Sequence, residues 1–259
     1  MFKVIPLFSG SSGNATYIRY GDDEILVDAG VSCRSLQAAL ASVGSDLSRI
    51  RALFITHEHN DHVKGLEVVS RKYQIPVYIN EASFRGIEKS ALRTALAPCV
   101  RFKNAGDTVD EGEIRADVFK TPHDAYGSVG YRFTFSDGTS VGYATDIGYV
   151  TKGIAAALFG CQTVVLESNH DVAMLRSGPY PYYLKQRILS DKGHLSNDAC
   201  AAFLPYLYEK GTRKLILAHL SEENNTPRLA YESGVNAAQA AGIGSDDFKI
   251  TVAMKSVLG

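Results

Sequence analysis

The sequence predicts a mixed α/β chain of the α+β kind, and three observations predict it. Short runs rich in β-branched and aromatic residues, such as Ala52-Leu53-Phe54-Ile55-Thr56, read as buried strands. Stretches with apolar residues at helical spacing, such as Leu36, Ala39, Leu40 and Val43, alternate with them. Strand ends carry dense polar clusters, chief among them His57-Glu58-His59-Asn60-Asp61-His62. Open α/β sheets place their sites at the C-terminal ends of strands.

Taken in order, Phe2 to Phe8 reads as a strand, Ala15 to Tyr20 as its return, and Glu24 to Asp28 as a third strand after the turn Gly21-Asp22-Asp23. This is a meander, not a βαβ dinucleotide unit. The loop Ser9-Gly10-Ser11-Ser12-Gly13-Asn14 lacks the Gly-Lys-Ser/Thr of a P-loop. It is either a flexible hairpin connection or a nest of backbone N–H groups and hydroxyls that receives a phosphate. Asp28, if buried, needs a partner. Either a histidine ring nitrogen or the start of the helix expected over Ser32 to Val43 would serve.

After the strand Ala52–Thr56, residues two apart in an extended segment point to one side, so His57 and His59 can grip one cation. Asp61 and His62 follow as the chain turns into a helix expected over Val63 to Tyr73, and they face a slightly different point, which suits a second ion. Imidazole with carboxylate favours zinc, manganese or iron over calcium. The plainer alternative is a solvated polar loop.

A strand is expected over Ile75 to Ile79, and a helix over Glu81 to Ser90 with Phe84 and Ile87 in the core. The stretch 91–107 carries no clear pattern. Ile114 to Lys120 alternates as a half-buried strand and ends at Thr121-Pro122-His123-Asp124. Tyr131 to Phe135 and Ser140 to Ala144 form a hairpin around Asp137-Gly138 and deliver Asp146. Thr151 to Phe159 is helical, and Thr163 to Leu166 is a buried strand ending in Glu167-Ser168-Asn169-His170-Asp171.

The segment Arg176 to Arg187 holds three tyrosines and three cations, among them Tyr180, Tyr182, Lys185 and Arg187. It reads either as a Pro-kinked surface helix with snorkelling cations or as a nucleic-acid track of stacking rings and phosphate-binding cations. Ser196 to Lys210 is a helix. Arg213 to His219 repeats the pattern of Arg51 to His57, which predicts two equivalent strands that each close on a histidine. Thr226 to Ala241 is a helix and Phe248 to Val252 a last strand.

His57-x-His59-x-Asp61-His62, followed by His123, Asp146 and His219, with Asp28 before them, resembles the signature of the metallo-β-lactamase superfamily. Finer features resemble its YycJ/WalJ-like branch: the Gly/Ser loop, Glu167-Ser168-Asn169-His170-Asp171, Gly193-His194-Leu195-Ser196-Asn197 and Ala218-His219-Leu220-Ser221-Glu222-Glu223-Asn224. The resemblance implies a four-layer αββα metallo-β-lactamase sandwich formed as a single domain over residues 1–259.

It also implies a dinuclear metal-dependent phosphodiesterase, a 5′→3′ exonuclease acting on DNA. His57, His59 and His123 would hold one ion, and Asp61, His62 and His219 the other. Asp146 and a hydroxide would bridge them, with Asp61 also catalytic. Seven such side chains exceed one tetrahedral site. Asp28, Asp124, Glu167 and His170 would support the ligands. Ser11, Ser12, Asn14, Tyr180, Tyr182, Lys185 and Arg187 would contact nucleic acid. His194 would relieve charge on the leaving 3′ oxygen, its alternative role being a helix cap or a surface ion pair. A small-molecule hydrolase of thioesters, lactones or lactams, and a non-enzymatic metal-binding regulator, are the competing functions.

Composition sets further bounds. A chain of 259 residues with 45% hydrophobic residues buries roughly 70–75% of its unfolded surface without a disulfide. Cys33, Cys99, Cys161 and Cys200 form no Cys-x-x-Cys and read as buried hydrophobes in a reducing compartment. The N-terminus has no signal-peptide anatomy, and no apolar run reaches the ~18–20 residues of a membrane span. A cytoplasmic location is expected. The net charge of −1 gives nucleic-acid binding no general help, so contact with a polyanion must come from a local patch and from metal.

Overall fold

The computed structural model describes residues 2–259. They form two compact units. One comprises the chain up to Val118 with Ala125–Val129 and Met254–Gly259, and the other Phe119–Asp124 with Gly130–Ala253.

In the first unit β1 (Phe2–Phe8), β2 (Ala15–Tyr20) and β3 (Asp23–Val27) make the antiparallel meander. β3 then pairs in parallel with β4 (Ile50–Phe54), followed by β5 (Val77–Ile79) and β6 (Val100–Phe102). The sheet order is β1-β2-β3-β4-β5-β6. The helices are α1 (Cys33–Ser42), α2 (Asn60–Val63), α3 (Leu66–Tyr73), α4 (Glu81–Gly86) and α5 (Ser90–Leu96). β7 (Thr108–Glu111) and the start of β8 (Ile114–Lys120) form an antiparallel hairpin.

α1 follows from its sequence: Ser32 caps its N-terminus through Ser35 N, and Leu36, Ala39 and Leu40 form its buried face. These pack with Leu26, Leu53 and Val69 in one core, where each fully buried leucine contributes about 1.5–3 kcal/mol.

In the second unit β9 (Val129–Phe135), from Gly130 on, and β10 (Ser140–Ala144) are antiparallel, and β11 (Thr163–Glu167), β12 (Lys214–Ala218) and β13 (Lys249–Val252) continue in parallel. The helices are α6 (Lys152–Leu158), α7 (Val172–Ser177), α8 (Tyr182–Ile188), α9 (Asn197–Glu209) and α10 (Pro227–Ala240). Ile154, Leu166, Leu204 and Leu217 share its core. β4 and β12, which share a sequence pattern, are both interior strands with parallel neighbours on each side. Such strands are buried on both faces, which is why they read as continuous apolar runs.

Three expectations change. The helix expected over Val63 to Tyr73 starts earlier and breaks, giving α2 and α3. At Gly65 the N–H bonds Ala29 O at 2.8 Å, and a Cβ would lie 2.1 Å from Val31 O, so tertiary contact overrides helical continuity there. The helix expected over Glu81 to Ser90 stops at Gly86, and Ser90 opens α5. The tyrosine–basic segment is two helices, α7 and α8, separated by Gly178-Pro179-Tyr180-Pro181. A proline disfavours helical backbone in the residue before it. Among the described residues no helix is long and apolar enough to cross a membrane.

Candidate metal centre

In the first unit, Asp28 follows β3 directly, and its φ of 62° lies in the left-handed region. Non-glycine residues seldom occupy that region except under structural constraint. Asp28 is fully buried, and its carboxylate accepts from Thr56 N at 2.9 Å, from Thr56 Oγ1 at 2.9 Å and from His62 Nδ1 at 2.8 Å. Burial pushes this carboxyl up from its ordinary value, while the His62 imidazole and the Thr56 donors pull it back. With Nδ1–H donating to Asp28, His62 carries its lone pair on Nε2, the tautomer a ligand needs. The His57 ring centroid lies 4.5 Å from that of His59 and 4.1 Å from that of His62.

The loop is braced from below. Asn14 N donates to Asp61 O at 2.8 Å, and Asn14 Nδ2 lies 3.1 Å from His62 Nε2 and 3.2 Å from Asp61 Oδ2. A Cβ at Gly30 would fall 1.6 Å from Asp61 O, so only glycine allows the loop to seat there. Replacing Asp28 with asparagine is expected to weaken metal binding by about 10–100-fold, the usual effect of losing a carboxylate behind a ligating histidine. Competition against a chromogenic chelator measures this. Wild-type affinity would mean that Asp28 only holds the strand end.

In the second unit, Asp146 (φ 56°) and His219 (φ 55°) also take left-handed conformations just beyond strands β10 and β12. Glu167, the last residue of β11, is fully buried. Its Oε1 lies 2.8 Å from His194 Nδ1 and 2.9 Å from His219 Nδ1, and its Oε2 accepts from Ile147 N at 2.8 Å and Leu195 N at 3.1 Å. Burial alone would raise this carboxyl, but the two imidazoles reverse the balance and hold it well below the usual carboxylate range.

Separations of 2.8–2.9 Å are hydrogen-bond lengths. Glu167 is therefore an acceptor from both Nδ1–H groups, which leaves Nε2 of His194 and of His219 as the ring atom that can meet a metal ion or a substrate. Asp146 Oδ1 lies 3.5 Å from His219 Nδ1, 3.8 Å from His194 Nδ1 and 3.9 Å from His123 Nε2. His123 Nδ1 lies 3.2 Å from Gly193 O, which puts its lone pair on Nε2 as well, and burial pushes its pKa down. Buried carboxylates and imidazoles of this tautomer suit a divalent transition metal. Asp146, Glu167, His194 and His219 each offer a ligand atom within 4.8 Å of the others.

The family profile of the beta-lactamase superfamily domain matches residues 23–220. The chain belongs to this superfamily. It is 39% identical over 251 residues to exodeoxyribonuclease WalJ of Streptococcus pneumoniae, covering 96% of this chain and 93% of that protein. It is 36% identical over 238 residues to exodeoxyribonuclease YycJ of Bacillus anthracis, covering 92% and 89%. Among solved structures, Zn(2+)-bound PqqB from Methylobacterium extorquens aligns with a TM-score of 0.73 at 17% identity, covering 99% of each chain. The metallo-beta-lactamase fold protein YhfI from Bacillus subtilis aligns with a TM-score of 0.68. The fold is thus the mixed α/β metallo-β-lactamase fold, with two sheets and helices.

Within this superfamily chain, the remaining residues singled out in the sequence divide. Asp61 lies in the first turn of α2, with Oδ2 3.4 Å from His62 Nε2. Ser11 and Ser12 are exposed, whereas Asn14 is buried and its amide is engaged by Asp61, His62 and Gly10, with Oδ1 accepting from Gly10 N at 3.0 Å. Asp124 Oδ1 lies 3.4 Å from His123 Nε2 and its Oδ2 pairs with Arg187. Lys185 Nζ donates to Arg176 O at 2.8 Å. Tyr180 is half-buried, and Tyr182 is 77% exposed.

His170 lies close enough to Glu167 and His194 to feel their charges, without a side-chain hydrogen bond to either. Neither of its ring nitrogens bonds a described protein group, and burial pushes its pKa down to about 4. Two residues escaped the sequence reading. Thr56 holds Asp28 and lies 3.0 Å from His57 Nδ1, and its signal was a lone hydroxyl at the end of an apolar strand. Asn169 donates from Nδ2 to His219 O at 2.8 Å and so helps fix that residue, and its signal was its place in the polar cluster Glu167–Asp171 at a strand end, which gave it no role of its own.

Proposed function

We propose that this chain is a metal-dependent exodeoxyribonuclease. The observation that carries the reading is the similarity, over 96% of the chain, to a named exodeoxyribonuclease. The ligands in this proposal are His57, His59, Asp61, His62, His123, Asp146 and His219. Their number supports two divalent ions, and zinc, manganese and iron all suit these donors. When bound, such ions acidify water and neutralise phosphate oxygens.

The chain's own residues supply the rest. His194, with Nδ1 held by Glu167 at 2.8 Å, presents Nε2 as the atom that protonates the departing 3′ oxygen. Asp61 orients the attacking water. Ser11 and Ser12 offer hydroxyls to a phosphate, and Tyr180, Tyr182, Lys185 and Arg187 line the track for the strand. The 5′→3′ polarity rests on the family resemblance alone. The family profile spans residues of both units, which supports one functional domain. The free cysteines support a reducing, cytoplasmic setting.

The test is to present purified metal-loaded protein with end-labelled DNA, labelled RNA and a panel of thioesters, lactones and lactams. Shortening of DNA from the 5′ end is the expected result. Turnover of the acyl substrates with intact DNA would overturn the reading in favour of a small-molecule hydrolase.

A further inference from the structure

Tyr126 is 75% exposed, yet the chain around it is firmly anchored. Its backbone N–H donates to Glu58 Oε1 at 2.8 Å, and Glu58 sits between His57 and His59. One residue on, a Cβ at Gly127 would lie 2.0 Å from Asn80 Oδ1, so this backbone rests against the cap of α4. Val129 N then bonds Thr56 O at 3.0 Å. The ring lies on the backbone of Gly86, where a Cβ would come 2.4 Å from Cδ2, 3.0 Å from Cγ and 3.1 Å from Cε2. The Cδ2 side of the ring thus rests against a glycine and most of the ring is open. A tyrosine serving only to cover α4 would be largely buried. Lys89, three residues after Gly86, reaches the same His57–His62 loop as Glu58 does, with Nζ 3.3 Å from Asn60 Oδ1.

We infer that Tyr126 is a stacking platform for a nucleobase of single-stranded DNA, with Lys89 taking an adjoining phosphate. The inference rests on the nuclease reading and adds a binding residue to it. An aromatic face fixed by its backbone stacks on a base with little further loss of conformational freedom. Any base presents a π-face, so the contact is tolerant of sequence. A paired base in a duplex is covered by its stacked neighbours, so the platform selects unpaired ends. An ammonium at one side complements the phosphate that each nucleotide carries.

The test uses metal-loaded full-length protein, comparing wild type with Tyr126→Ala and Tyr126→Trp. Equilibrium binding of a fluorescent single-stranded oligonucleotide is read by anisotropy, alongside hydrolysis of methyl 4-nitrophenyl phosphate, which has no nucleobase. Tyr126→Ala is expected to weaken oligonucleotide binding by about 5- to 100-fold, the usual range for one stacked base. Tyr126→Trp should restore it to within about threefold of wild type. Turnover of the small ester and the melting temperature should not move. Unchanged oligonucleotide binding by Tyr126→Ala would overturn the platform, as would equal losses on both substrates with a lowered melting temperature. Wild-type protein that binds the strand without cutting it would remove the nuclease reading and leave the platform to be decided by the same variants. Failure of the wild type to bind single strands would remove both.

Discussion

Asparagine in place of Asp146 is expected to cost the protein metal and to lower DNA hydrolysis by more than about 100-fold. Losing a residue that merely supports a ligand typically costs about 10–100-fold, and Asp146 is proposed as a ligand itself. Its carboxylate is almost fully buried, beside His219 at 3.5 Å and His194 at 3.8 Å. Glu167, which bonds both imidazoles through Nδ1, would remain, but the carboxylate charge of Asp146 would be gone. The choice of asparagine matters. Asp146 has a φ of 56°, a conformation that alanine resists but asparagine tolerates, so Asp146→Asn separates loss of metal from loss of fold. Elemental analysis of metal per chain and a DNA-shortening assay read the two effects. Wild-type saturation with a single ion would sink the two-ion proposal. Full metal content and activity in Asp146→Asn would remove Asp146 from the ligand set.

His194→Ala is expected to lower kcat on DNA by about 10²–10⁴-fold, the range for a positioned general acid, with metal content intact. The geometry behind this is the pairing with Glu167, which fixes the ring and leaves Nε2 to carry the exchangeable proton. Its side chain keeps 17% exposure in a setting where Glu167 has none, so a substrate can reach it. On a nitrophenyl phosphodiester the leaving group needs no proton, and the loss should be much smaller. Equal losses on both substrates would reject the proton-donor role. Undiminished DNA hydrolysis would reject any part in catalysis and shift preference to the small-molecule hydrolase.

Much of the fold and part of the site can be read along the chain because the signals are local. The run Ala52–Thr56 closing on His57, and Lys214–Ala218 closing on His219, announce buried parallel strands that end on the histidines proposed as ligands. The spacing of His57, His59, Asp61 and His62 is legible as a set of metal-type donors on adjacent turns of chain. The meander β1-β2-β3 follows from alternation and turn residues. Cap residues such as Ser32 and Ser196 mark helix starts within one residue.

Contacts that join distant segments are what only the tertiary structure decided. Asp28 meets His62 across 34 positions, and Glu167 meets His194 across 27 and His219 across 52. No periodicity encodes such partners, because they depend on which strands lie side by side and in what register. The left-handed backbone at Asp28, Asp146 and His219 likewise has no signature in residue type, since the surrounding bonds impose it. Asn14 and Gly65 illustrate the same limit. Local rules assign one to a loop and the other to a helix, but close packing against Asp61 and Val31 turns the first inward and breaks the second.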